Sequence, residues 1–333
     1  MRILIISPFF PPLNSIASLR PYSFAKFWKE AGHEIHILTT KKENEPQALP
    51  LTLEGFNVIE IPLPNLFTEA KKNTNTLKKQ SRFLKKINAL RFKKGILNAC
   101  RMPDITDIWA YRALKKKLPH FDIVLSTCGP YSAHIVGWRL KKQGKAVIWV
   151  ADYRDTWSDN YIYPGLFPFN FIERRLEKWM LKSADLISTI SDPFAEGFRA
   201  KHSTEVITIE NGFDDDDLNE LPKERRFCKD GKFRIVHTGS IYVGKRDPLP
   251  FFRAIKQLKF KDRLEVHFFG QRNANLEELI RQEGVEQWVH LSGFVTRKES
   301  LWAQRDADML LFLPWTDSTV AGILTGKLFE YFY

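Results

Sequence analysis

Cysteine is scarce and scattered. Cys100, Cys128 and Cys228 are the three in 333 residues, with neither the close pairing of a metal site nor a disulfide framework. A reducing compartment, the cytoplasm, is therefore the expected location. Long apolar runs are lacking as well, because nothing approaches the ~20 apolar residues a membrane helix needs. The opening MRILIISPFF is a short apolar run that proline stops early, unlike a signal peptide. Acidic residues are in deficit, with 39 Asp and Glu against 51 Lys and Arg and a net charge of +12. Such a surplus favours anionic partners: nucleotide phosphates, nucleic acid or the cytoplasmic leaflet of a membrane.

What is present is a globular composition. With 44% hydrophobic and 27% charged residues, the chain has enough apolar side chains for sizeable cores, and its length suits two domains of roughly 150 residues. Apolar runs alternate with amphipathic ones, which argues for β-α units around parallel sheets. RILIISPFF reads as a strand, PYSFAKFWKEAG as a helix stopped by Gly32, and HEIHILTT as the next strand. The cycle continues through DIVLST, YSAHIVGWRLKKQG, AVIWVAD, FIERRLEKWMLKSA and DLISTIS.

Around Asn211-Gly212 the alternation yields to an acidic, proline-containing stretch, then restarts with FRIVHTGS and runs to DMLLFLP. The expected fold class is α/β, two Rossmann-like domains facing across a cleft, over residues 1–205 and 206–333. The last helix, near TGKLFEYFY, ends with Phe329, Phe332 and Tyr333 still apolar, so the C-terminal domain is expected to be incomplete.

In an open parallel sheet, ligands bind beyond the carboxyl ends of the strands, and four such ends carry chemistry. In SPFFPPLNSIASLR, small residues including Asn14 and Ser15 let backbone approach a ligand and Arg20 offers a charge; a capped helix start fits equally well. In WVADYRDTW, Asp152 leaves a strand and Asp155 follows beside Arg154. One carboxylate could orient or deprotonate an acceptor hydroxyl while the other holds Arg154, or the group is a structural ion pair.

In HTGSIYVGKRDP, Gly239 and Ser240 permit close approach to phosphate, and Lys245 and Arg246 supply positive charge of the kind a diphosphate leaving group needs. The spacing is that of neither the dinucleotide fingerprint nor the GK[ST] phosphate loop. In GILTGKLFEYF, Thr325 or Gly326 opens a helix with Lys327 in its first turn and Glu330 one turn on. A lysine there is opposed by the helix dipole unless an anion shares the site.

Taken together and in order, SPFFPP with Arg20, AGHEIHILTT, YRDTW, ADLISTIS, IENGFD, TGS with KRDP, and TGKLFEYF resemble the glycosyltransferases of family four, over nearly the whole chain. The resemblance implies a retaining enzyme of the B-type two-domain fold, with the nucleotide-sugar donor mainly on the C-terminal domain and the acceptor on the N-terminal one. It implies no cofactor and no metal. Gly239, Ser240, Lys245 and Arg246 would then lie at the diphosphate, Thr325, Gly326 and Lys327 would face the phosphates, and Glu330 would bind the nucleotide ribose. Asn14, Ser15 and Arg20 would serve the acceptor. YRDTW resembles the RDxW segment of the branch that builds bacterial surface polysaccharides, which would set Arg154 and Asp155 at the reacting sugar.

Three positions depart from the family pattern. The usual glycine pair of the first loop is Asn14-Ser15, the arginine after the phosphate-loop glycine is Ser240, and the first glutamate of the paired-glutamate motif is Gly322.

From Lys71 to Lys117 the chain is dense in Lys and Arg, and TLKKQSRFLKKINALRFKKGIL interleaves them with Leu77, Phe83, Leu84, Ile87 and Leu90. That spacing makes a basic amphipathic helix, suited to an anionic membrane surface or to packing on the N-terminal domain. The resemblance implies a glycan or polyisoprenyl-linked acceptor, since related enzymes often use lipid-linked ones, and with it peripheral attachment to the inner leaflet is the expectation set beside the packed helix. The rival readings are a nucleotide-sugar epimerase or hydrolase of the same fold, an inactive partner protein, and a nucleic-acid binder. The last is disfavoured because the aromatics follow apolar patterns rather than forming a stacking platform.

Overall fold

The computed structural model describes residues 1–42, 48–63, 82–219, 221–259, 261–316, 322 and 325–332. The chain divides into two units, Met1–Glu210 and Asn211–Tyr333. The strands of the first are β1 (Arg2–Ile6), β2 (Glu34–Thr40), β3 (Asn57–Ile61), β4 (Phe121–Thr127), β5 (Ala146–Tyr153), β6 (Leu186–Thr189) and β7 (Val206–Thr208). They form one sheet in the order β3-β2-β1-β4-β5-β6-β7, with every pairing parallel. The order reverses between β1 and β4, the switch point where a ligand crevice opens in such sheets.

The second unit holds β8 (Phe233–Thr238), β9 (Leu264–Phe269), β10 (Val289–Gly293) and β11 (Met309–Leu310). Its parallel sheet has the order β10-β9-β8-β11, so its switch point lies between β8 and β11. The expected pair of Rossmann-like units is what the chain forms, the second on a smaller sheet.

Parallel strands are covered on both faces and so read as apolar runs. Leu4, Ile5, Ile6, Ile37, Leu38 and Val124 are all fully buried. On one face, helices Thr106–Leu114, Ser132–Lys142 and Phe169–Leu181 contribute Trp109, Val136 and Met180 to a core around Trp149. On the other, helix Ile16–Glu30 packs Tyr22 and Ala25 against Ile3, Ile5 and Phe10. Each such buried large side chain contributes about 1.5–3 kcal/mol. Gly137 is a tight point of this core, because a Cβ there would stand 2.4 Å from the indole nitrogen of Trp149.

Some elements differ from expectation. The first helix starts at Ile16 rather than Pro21, because Ser15 caps it. Strand β3, at the sheet edge, and helix Thr106–Leu114 differ from the sequence reading; the helix lies within the stretch read for its basic residues. The three-residue β7 pairs with β6, although it follows the expected boundary at 205/206, and Ile187 and Ile209 reach Glu205 and Thr189 through backbone hydrogen bonds.

Within the basic run, helix Arg82–Lys94 is present. Residues 71–81 and the side chains of Phe83 and Leu84 lie outside the described residues. Arg101 of that run faces inward, paired at 2.8 Å with buried Glu173. No described helix is long and apolar enough to cross a membrane.

Candidate active-site residues in the two units

At the first switch point, local sequence dictates an unusual anchoring. Ser15 Oγ accepts from the Ala17 N–H at 3.2 Å and starts the helix, with half-buried Asn14 in the loop before it. Pro21, inside the helix, has no N–H to give the carbonyl four residues back, so Ala17 O lacks its helical donor. Arg154 Nη1 supplies one instead. The same guanidinium donates through Nε to Cys128 O at 3.1 Å and through Nη2 to Gly129 O. Gly129 has φ +88°, and a Cβ on it would stand 2.7 Å from Arg154 Nη2. Arg154 therefore ties the loop after β4 to the helix that follows β1, with the Phe9 ring 5.7 Å away.

Asp152, at the carboxyl end of β5, is fully buried. Its carboxylate accepts from Arg20 Nη2 at 2.7 Å, Arg20 Nε at 3.1 Å, Thr127 Oγ1 at 2.9 Å and Ser188 Oγ at 2.9 Å. Burial alone would push this carboxyl up, but the Arg20 guanidinium and the two hydroxyls outweigh it and hold it below its usual range. Arg20 itself reaches Glu210 O at 3.1 Å. Asp152 holds Arg20 and presents no surface to an acceptor, while Asp155, its side chain 51% exposed, lies 3.8 Å from Arg154 Nε.

At the second switch point, Gly239 closes β8 with φ +105°. A Cβ on it would stand 2.8 Å from Lys327 Nζ, so only a glycine lets that ammonium lie against the backbone. Gly270, at the end of neighbouring β9, does the same for the loop itself, since its Cβ would meet Gly239 O at 2.3 Å.

Lys327 is buried, 3.4 Å from His237 Nε2. His237 Nδ1 lies 2.8 Å from Leu311 O and must donate to that carbonyl, which leaves the Nε2 lone pair toward the ammonium. Burial, then the Lys327 charge, drops the imidazole to about 3, so it stays neutral. Burial, then the Arg246 charge, lowers Lys327 to about 8 against the opposing effect of Glu330.

Arg246 Nε and Thr325 Oγ1 are buried without a hydrogen-bond partner among the described residues. Lys245 is exposed, its Nζ 5.5 Å from the Trp315 ring centroid, with Arg246 5.9 Å from the same ring. Ser240 is exposed beside Gly239, and Gly326 begins helix Gly326–Phe332. Glu330 accepts from Arg297 Nη1 at 2.7 Å, and Arg297 also donates to Asp217 at 2.6 Å.

The expected donor residues Gly239, Arg246 and Lys327 thus gather at one strand end, while Glu330 is held by Arg297. Sequence reading missed His237, Gly270, Trp315 and Arg297. Only Gly270 carried a legible signal, a glycine closing the apolar strand LEVHFFG. Among the described residues no cluster of His, Cys, Asp and Glu is arranged to hold a metal ion.

The model of Glycosyltransferase Family 4 matches residues 20–217, more than half of the chain. The chain belongs to glycosyltransferase family 4. It is by that membership a glycosyltransferase, and both Asp152–Asp155 and Arg20 fall within the matched span.

Solved structures agree on the fold. Sucrose-phosphate synthase from Thermosynechococcus elongatus is similar with a TM-score of 0.57 at 14% identity, over 93% of this chain and 74% of that one. The catalytic domain of starch synthase IV from Arabidopsis thaliana, bound to ADP and acarbose, gives 0.59 at 13%, over 93% and 77%. The N-terminal domain of trehalose-6-phosphate phosphatase from Candida albicans gives 0.61 at 14%, over 99% and 79%. No curated protein matches the chain in sequence.

Proposed function

We propose that this glycosyltransferase moves a sugar from a nucleoside diphosphate sugar to a glycan or lipid-linked acceptor, with retention at the anomeric carbon, in cell-surface polysaccharide synthesis. The observation that carries the donor reading is Lys327, buried against Gly239, its pKa lowered by that burial and then by the nearby Arg246 charge. Neither cation forms an ion pair among the described residues. Buried like charges are costly unless an anion compensates them, and a diphosphate is such an anion.

In the transfer, the bond between the anomeric carbon and the diphosphate oxygen breaks, and its electron pair leaves with the oxygen. Lys327 and Arg246 stabilise the charge that grows there, doing what a divalent cation does in other phosphate sites. The acceptor hydroxyl oxygen forms the new bond to the same carbon, and its proton passes to the departing diphosphate oxygen. We assign Asp155, the exposed carboxylate of its group, to orienting that hydroxyl, with Arg154 and Asp152 as positioning residues. Glu330, steadied by Arg297, is assigned to the ribose hydroxyls. Retention and the surface-polysaccharide role rest on family membership and the RDxW resemblance. The basic run 71–117 fits peripheral attachment to an anionic inner leaflet, where lipid-linked acceptors are reached.

The test is a thermal-shift titration with UDP, GDP and ADP without added metal, on the chain and on Arg246→Ala. A rise in melting temperature with one nucleotide, lost in the variant, supports the donor site. No rise with any of them sinks it.

A further inference from the structure

Helix Phe169–Leu181 of the first unit has its charges sorted by sign. Its two acidic residues, Glu173 and Glu177, are buried. Glu173 pairs with Arg101, and Glu177 accepts from Ser158 Oγ. The basic residues Arg174, Arg175 and Lys178, and Lys182 just beyond, all point outward.

The outward face is also strongly apolar. Phe171 is 52% exposed, Ile172 43% and Trp179 52%, with Phe167 at the helix entry 81% exposed. At 100° per residue, Trp179 and Ile172 occupy one flank of that face and Arg174 and Lys178 the other, with Phe171, Lys182 and Arg175 along the middle.

Neighbouring helices extend the pattern. Helix Ser132–Lys142 packs between this one and helix Thr106–Leu114, and Trp138 meets Trp179 at 4.6 Å between ring centroids. On all three helices a cation lies over an aromatic ring: Lys115 over Tyr111 at 4.4 Å, Arg139 over Trp138 at 6.0 Å, and Arg175 over Phe171 at 4.1 Å. A water-facing surface rarely gathers so many large apolar groups without a partner. Aromatic rings at headgroup depth with cations spreading along the phosphates are what an anionic membrane interface accommodates.

We propose that the outward face of helix Phe169–Leu181, extended by Trp138, is a docking surface for an anionic phospholipid membrane. The surface lies on a different helix from Arg82–Lys94, which carries Lys85 and Lys86, and is independent of the donor-site reading. Phe171, Ile172 and Trp179 enter the interface while Lys178, Lys182 and Arg175 beside them meet phosphate groups, and no outward carboxylate of the helix opposes them.

The test is co-sedimentation of the full chain at low salt with vesicles of phosphatidylcholine, with and without phosphatidylglycerol. Three double variants are compared: Phe171→Ser with Trp179→Ser, Arg175→Glu with Lys182→Glu, and Lys85→Glu with Lys86→Glu. Phe171, Arg175, Trp179 and Lys182 are exposed, and unchanged melting temperatures check that the variants fold. The expected result is pelleting only with phosphatidylglycerol and a loss of bound protein of about tenfold or more in each of the first two variants. Wild-type protein that ignores both vesicles overturns the proposal. Pelleting lost only in the Lys85 and Lys86 variant overturns it too, and leaves the attachment to the basic run standing. Binding that resists the Phe171 and Trp179 changes and is competed away by a random oligonucleotide identifies a polyanion surface instead, which also overturns it.

Discussion

The two switch points use the same geometry with opposite electrostatics. In the first unit, buried Asp152 and Arg20 neutralise each other, and Arg154 spends its donors on three backbone carbonyls. In the second, Lys327 is buried beside Arg246, and among the described residues a neutral imidazole lies against its ammonium. A satisfied cluster holds loops in place, and the unsatisfied one is where the proposed donor would bind. Buried charge by itself therefore does not mark a binding site; charge without its complement does.

The largest expected break in this contrast comes from Asp152→Ala. Removing the carboxylate strands Arg20 in the interior with Thr127 and Ser188 unpaired, at a cost of about 3–5 kcal/mol in unfolding free energy. Chemical denaturation should record that loss. If nucleotide affinity per folded molecule also collapsed, the division between scaffold and binding cluster would be wrong.

Lys327→Met should act in the reverse sense, raising the stability of the free chain while weakening nucleotide binding by about 10–100-fold, as loss of a charged hydrogen bond of about 1.5–3 kcal/mol implies. The pH dependence follows from the amine's fall from 10.5 to about 8. Between those values the unfolded chain holds more protons than the folded one, so stability rises with pH across that window. Below about pH 8 the full cost of charging the buried amine is present. Nucleotide affinity should fall as pH rises above 8 and the ammonium is lost. The Met variant should lack both slopes, which melting curves and titration calorimetry at several pH values would check.

The parallel sheets and most strands were legible because strands covered on both faces are continuous apolar runs, as in RILII and DIVLST. Strand β3 was not, because NVIEI carries its charge at an edge, and the helix at Thr106 sat inside a run read for its cations. Lys327, Gly239 and Arg246 were legible as types at strand ends. Their burial, which turns Lys327 from a surface lysine into an anion-seeking one, depends on His237, Arg246 and a helix brought together from distant sequence. Arg154 was legible as a charge and not as an anchor, since its role arises from Pro21 withholding an N–H from Ala17 in another element.

Gly270→Ala sharpens the comparison from the steric side. The new Cβ meets the Gly239 carbonyl, which is backbone and cannot swing away, so the loop after β8 must shift. Overpacking of this kind costs about 1–3 kcal/mol. It should weaken nucleotide binding without touching a charged residue, and calorimetry on a folded variant would show it. Full affinity in the Ala variant would mean that the loop's position is not what orients Lys327.

Arg154→Lys should have the smallest effect. A lysine keeps the charge but cannot span Cys128, Gly129 and Ala17 with one compact ammonium, so the Ala17 carbonyl that Pro21 leaves open would lose its donor. Each exchanged hydrogen bond is worth about 0.5–1.5 kcal/mol net, and retained contacts should hold the total near 1 kcal/mol. Because the loops Arg154 joins belong to the first unit, nucleotide-induced melting shifts should stay as in wild type while kcat/KM for the acceptor falls. A fall in nucleotide affinity instead would move Arg154 to the donor side, and the contrast between a filled and a waiting cluster would have to be redrawn.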